Sequence, residues 1–97
     1  MRMFNPPPPC EILREDVLPD RSMSVADFAA QLGYDPAMLQ RVLNNEIPIN
    51  ADLALRLEKA GISSAEMWLG LQNKYDLWQL RNNRPQREAV AAIIDPV

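Results

Sequence analysis

The sequence predicts an all-α protein of five helices organised around a tight helical hairpin. Two apolar runs carry that reading. Val25, Phe28, Ala29 and Leu32 recur at helical spacing, and Leu39, Val42 and Leu43 do so again after Gly33. Glycine takes a left-handed turn without a Cβ penalty, so Gly33 is where the first of the two helices stops. The nine prolines supply the second observation, because they read as ends and links of segments. The third is the size and balance of the chain. Its 97 residues, 47% hydrophobic and 24% charged, suit one globular domain with a modest core.

Met1 to Pro9 is an apolar lead. Its run of four prolines, Pro6 to Pro9, enforces an extended, polyproline-like approach, with Phe4 expected against the body. Such runs also dock in aromatic grooves. Helix one is expected over Glu11 to Leu18. Ile12, Leu13 and Val17 face inward, while Arg14, Glu15 and Asp16 face water. Pro19 is expected to stop it, leaving Asp20 to Met23 as a loop. Ser24 is an N-cap with Asp27 three residues on, a variant of the capping box.

Helix two then runs to Leu32. After Gly33, Asp35 is placed to cap helix three and Pro36 fits its first turn, where no backbone N–H is needed. Helix three is expected over Pro36 to Asn44, ended by Asn45, Glu46 and Pro48. The small Ala29 lets the two helices cross closely. This is the logic of a helix-turn-helix, whose second helix enters the major groove of DNA. Phe28-Ala29, Leu32-Gly33, Leu39 and Val42 resemble the Xre and lambda-repressor type position for position.

Ile47 and Ile49 alternate with Pro48 in an extended link expected to tuck under the body. Asn50 caps helix four, which buries Leu53, Ala54 and Leu57, places Lys59 at its negative end and stops at Gly61. Ser63 and Glu66 read as a capping box for helix five, from Ser64 to Arg81. Met67, Trp68, Leu71, Tyr75 and Trp78 line one side of that helix, as core or as a dimer seam. Residues 82–97 form a C-terminal tail. A polar link precedes the apolar run Ala89 to Ile94, which reads equally as helix or strand and needs the body or a second subunit to cover it.

Composition excludes several functions. There is no histidine, so the usual general base and the commonest metal ligand are missing. The single cysteine, Cys10, leaves no internal disulfide and no cysteine metal cluster. No catalytic site, metal or cofactor is expected. No run approaches membrane-spanning length and the N-terminus lacks the apolar stretch of a signal peptide, so a cytoplasmic protein is expected. The net charge is −3. It is unevenly spread: from Cys10 to Asn50 seven acids meet three arginines, whereas from Ala51 onward six acids meet six bases. An acidic front half suits a basic protein partner, and equally suits ordinary solvated faces.

Beyond the hairpin, the chain resembles the HigA family of antitoxins, also called virulence-associated protein I. The likeness rests on Asn5-Pro6-Pro7 with Pro9, on Glu11 to Glu15, on Ala51 to Leu57, and above all on Ser63 to Leu69 followed by Leu71-Gln72 and Tyr75-Asp76-Leu77. It covers nearly the whole chain up to Arg81. The resemblance implies a compact five-helix bundle with a lambda-repressor-like helix-turn-helix. It implies a homodimer that represses its own promoter and neutralises a small basic RelE-like toxin that cleaves mRNA.

Carried over by residue, Ala37, Met38, Gln40 and Arg41 occupy groove-facing positions. Asn44 and Asn50 lie near the DNA backbone, and Ser24 with the N-terminus of helix two meets a phosphate. Gln40 and Arg41 are expected to read base edges of double-stranded operator DNA. The chain departs from the family pattern where Pro36, Ala37 and Met38 make an apolar start to helix three. It departs again where the family's glycine is replaced by Asn45 or Glu46. A stand-alone Xre-type regulator, or a protein-interaction module with a relict helix-turn-helix, are the other functions these residues allow.

Overall fold

A computed structural model describes residues 6–82, and those residues fold as five helices with no strand among them. Pro8 is extended, at φ −68° and ψ 146°, but Pro9 and Cys10 already belong to the first helix, where proline fits the first turn, so the lead ends at Pro8 rather than Pro9. Pro6, Pro7 and Pro8 form one wall of a groove whose other wall carries Tyr75 and Trp78. Phe4 and the tail beyond Asn82 lie outside the described residues.

Helix α1 is one continuous rod over residues 9–21, made of α-helical Pro9–Ile12, a π-helical turn Leu13–Val17, and α-helical Leu18–Arg21. Pro19 therefore does not end the helix, and Asp20 and Arg21 belong to it rather than to a loop. The π turn explains how. A proline inside a helix lacks an N–H, and its ring presses on the carbonyl one turn earlier. Here the Leu18 N–H reaches back to the Leu13 carbonyl in a wider turn, which gives the ring room. The helix ends at Ser22, in the left-handed region at φ 54°.

Four further helices follow: α2 (Val25–Leu32), α3 (Pro36–Leu43), α4 (Ala51–Lys59) and α5 (Ala65–Asn82). Their inward faces build one core. Leu13 and Leu18 of α1 meet Phe28, Ala29 and Leu32 of α2, Leu39, Val42 and Leu43 of α3, Leu53, Ala54 and Leu57 of α4, and Trp68 of α5. Each large side chain so buried contributes about 1.5–3 kcal/mol relative to exposure. Ile49 is buried and Ile47 packs against the core, so the link tucks in as the alternation predicts. Cys10 is buried too. Burial pushes its thiol pKa up from 9.0, while the positive Arg14 pulls the other way.

The start of α5 departs from expectation. Ser64, not Ser63, is the cap: its Oγ accepts from the Met67 N–H at 3.0 Å. Ser63 instead takes a left-handed backbone, φ 59°. Glu66 is not the reciprocal acid. Glu58 of α4 instead satisfies a different free donor of the first turn, accepting the Ala65 N–H at 2.7 Å. The buried side of α5 also shifts. Trp68 and Gln72 are its buried large residues, Leu71, Tyr75 and Trp78 are half-buried, and Met67 turns to solvent. The Trp68 Nε1–H donates to the Ile62 carbonyl at 2.7 Å, and Gln72 accepts the Ile49 N–H at 3.0 Å. Two polar groups thus tie α5 to the links that flank α4.

Candidate nucleic-acid interface

Helix α3 has two faces with different duties. Leu39, Val42 and Leu43 are buried, and the opposite stripe, Ala37, Gln40, Arg41 and Asn44, is exposed. These four stand at i, i+3, i+4 and i+7, one face of a helix. Met38 lies half-buried at the edge. The chain therefore brings five of the seven expected residues together. The other two sit at neighbouring helix ends. Ser24 caps α2, accepting the Asp27 N–H at 3.1 Å, and Asn50 caps α4, accepting the Leu53 N–H at 2.9 Å. Both are exposed, and neither is hydrogen-bonded to the α3 stripe.

The hairpin before α3 is built from backbone first. The Gly33 N–H bonds the Ala30 carbonyl at 3.2 Å and the Tyr34 N–H bonds the Ala29 carbonyl at 2.9 Å, with Gly33 at φ 68°. This double bond pattern closes a helix end. Arg56 of α4 then takes the carbonyls left over. Its Nη1 donates to the Leu32 carbonyl at 3.1 Å and to the Gly33 carbonyl at 2.8 Å, while its Nε pairs with Asp52 at 3.0 Å. Asp35 stands at the N-cap of α3, but its side chain makes no capping bond there; its carbonyl accepts from Leu39 instead. With Pro36 in the first turn one orphan N–H is already absent.

The far end of α3 is closed the same way. Asn45 adopts φ 61°, the Asn45 N–H bonds Val42 at 2.9 Å, and the Glu46 N–H bonds Arg41 at 2.8 Å. Asn45, not Glu46, therefore holds the position that favours glycine. Its side chain donates to the Tyr75 hydroxyl at 3.1 Å. Arg14 of α1 donates to the Leu43 carbonyl at 2.6 Å, so α3 is capped at its negative end by a cation from another helix.

The polar side chains of the stripe are bonded to one another. Gln40 donates to Asn44 Oδ1 at 3.1 Å, Asn44 donates to Glu46 Oε2 at 3.4 Å, and Arg41 Nε pairs with Glu46 Oε1 at 3.5 Å. Sequence reasoning missed the positioning roles of Arg56 and Arg14. A signal existed for Arg56: a cation on the edge of an apolar helix face, one turn after Asp52. Nothing local marks Arg14.

A buried-faced second helix, presented by a tight turn with an exposed polar stripe, defines a helix-turn-helix of the DNA-binding regulator class. No protein-family model matches the chain. Its relatives are specific. Over 83 residues it is 31% identical to an uncharacterised HTH-type transcriptional regulator of Haemophilus influenzae, covering 86% of this chain and 78% of that one. The solved structure of an addiction module antidote protein of the HigA family from Coxiella burnetii is 32% identical and superposes with TM-score 0.74, covering 92% of this chain and 100% of the other. The Pseudomonas aeruginosa antitoxin HigA, solved with the higBA promoter, is 27% identical with TM-score 0.76 over 92% and 99% of the two chains. The chain belongs to the HigA family of antitoxins, with an Xre-type helix-turn-helix.

Proposed function

We propose that the chain is a dimeric repressor of its own promoter and the antitoxin of a small basic RelE-like toxin that cleaves mRNA. The observation that carries the DNA half is the exposed stripe of α3, held at both ends by arginines from other helices. Gln40 and Arg41 reach base edges in the major groove, where each can make paired hydrogen bonds. Ala37 and Met38 offer methyl contact to thymine. Asn44, Asn50 and Ser24 approach phosphates, the last two at the N-termini of α4 and α2. Two copies place their α3 helices about 34 Å apart, one turn of the duplex. The related HigA bound to promoter DNA supports this reading. The toxin half is supported by family membership and by the acidic front of the chain, where Glu15, Asp16 and Asp20 are exposed. The dimer is expected to use α5 and the segment Ala89 to Ile94.

Fluorescence anisotropy on DNA from upstream of the chain's own gene, beside a scrambled duplex at two salt concentrations, tests the first half. Preferential binding that weakens with salt is expected, and equal binding to both duplexes would refute it. Co-expression with the adjacent small basic reading frame tests the second. Relief of growth arrest with a co-purifying complex is expected, and neither occurring would refute it. Truncation after Arg81 is expected to give a monomer by light scattering. A truncated dimer would refute that placement of the interface.

A further inference from the structure

Among the described residues, Gln72 is the polar side chain buried with the core, 7% exposed. A buried amide is costly unless its groups are bonded. Here both ends are. Its Oε1 accepts the Ile49 N–H at 3.0 Å and its Nε2 donates to Asp76 Oδ1 at 3.0 Å. A carboxylate can only accept, so Asp76 fixes which end of the amide faces Ile49. Ile49 needs that partner. It is buried in the link before α4, where no helix or strand supplies an acceptor for its N–H. The link bridges a cleft of ≈ 200 Å³ on its α5 side and is bonded to α5 at both ends, Asn45 to Tyr75 at 3.1 Å and Ile49 to Gln72. Of the two bonds, the one to Gln72 is buried, and it lies next to Asn50.

Asn50 is the residue this bond would aim. Its Oδ1 is committed to the Leu53 N–H at 2.9 Å, which leaves the Nδ2 of this exposed side chain without a partner among the described residues. An amide donor beside a helix N-terminus suits a phosphate oxygen. Asp52 in the same first turn is offset by Arg56, paired with it at 3.0 Å. Resting on the phosphate role proposed for Asn50, we propose that Gln72 is a positioning residue for DNA-backbone binding: acting through Ile49, it holds Asn50 and the first turn of α4 at one phosphate. Phosphate contacts carry no sequence information, so losing this hold weakens every duplex alike and leaves the preference for the promoter in place.

The test replaces single phosphates of the promoter duplex by neutral methylphosphonates and reads each affinity by anisotropy, with active protein counted by stoichiometric titration. Wild type is expected to lose about fivefold or more at one phosphate in each half-site, a loss that Asn50→Ala no longer shows. Gln72→Met keeps the length of the side chain and removes both bonds. Its loss at that phosphate is expected to shrink to about twofold or less while losses at other phosphates persist, and it should bind promoter and scrambled duplexes about fivefold more weakly alike. Gln72→Glu with Asp76→Asn exchanges acid and amide, keeps an acceptor for Ile49 and the net charge, and is expected to restore the wild-type pattern. Asp76→Ala, at an exposed site, frees the amide to turn and is expected to blunt the loss in the same direction, a readout that stands if Gln72→Met does not fold. Wild-type loss at that phosphate in Gln72→Met and Asp76→Ala, whatever their melting temperatures, would overturn the positioning role. So would weakening confined to the promoter. If Asn50→Ala alters the loss at no phosphate, the phosphate role of Asn50 itself fails, and the positioning role falls with it.

Discussion

The two turns that flank α3 close by the same backbone device and spend their side chains differently. At Gly33 the turn is bare, and the cation that completes it, Arg56, comes from α4, 23 residues away. A Cβ on Gly33 would lie 3.2 Å from Arg56 Nη1, a tight contact that asks the guanidinium to give by a few tenths of an ångström, and the φ of +68° disfavours any side chain there. At Asn45 the left-handed residue keeps a side chain and uses it, bonding Tyr75 of α5. The first turn is a joint that only positions α3. The second both ends α3 and carries Glu46 beside the exposed stripe. Both ends of α3 are thus anchored by a distant arginine, Arg56 before it and Arg14 after it, and only the second turn adds side-chain bonds of its own.

Mutations at the two turns break this contrast in a definite order. Gly33→Ala should be the most damaging, by about 2 kcal/mol or more. It places a Cβ in the left-handed region, at about 1–2 kcal/mol, and crowds Arg56 Nη1 where it bonds the Leu32 and Gly33 carbonyls. Thermal or urea unfolding measures it; a loss within a few tenths would mean that the turn relaxes freely. Arg56→Ala should follow at about 1–2 kcal/mol, because two carbonyls at the end of α2 lose a charged donor but retain access to water. Arg56→Lys should recover little, since an ammonium cannot span both carbonyls and Asp52 in the same fork. Asn45→Gly should be the smallest change, within about 0.5 kcal/mol of wild type, as relief of backbone strain offsets the lost Tyr75 bond. A cost there as large as at Gly33 would show that the two turns are not built on different principles.

The parts of this fold that were legible in the sequence are those decided within a few residues. The caps Ser24 and Asn50, the stop at Gly33 and the buried stripe of α3 depend on local spacing and local backbone chemistry. The rest depends on partners distant in the chain. Pro19 reads as a helix stop, yet the π turn before it and the packing of Leu13 and Leu18 carry the helix through to Arg21. Ser63 and Ser64 are locally equivalent caps. In the fold Ser64 caps the helix, Ser63 sits in the left-handed turn before it, and Glu58 from the preceding helix takes the Ala65 N–H. Asp35 has the right residue type for a cap and makes no capping bond. In the candidate site, sequence indicated which residues face outward, but not that Gln40, Asn44, Arg41 and Glu46 form one hydrogen-bonded set. That follows from the left-handed turn at Asn45, which brings the carboxylate back beside the helix.

In the proposed function the exposed stripe of α3 reads the promoter. The most direct test compares wild type with Gln40→Ala and Arg41→Ala on promoter and scrambled duplexes in one titration series. Both positions are exposed, so folding should be unchanged by circular dichroism. Each substitution is expected to weaken promoter binding by about tenfold or more while changing scrambled binding far less, in keeping with about 1–3 kcal/mol for a paired base contact. Wild-type preference for the promoter in both variants would contradict the account.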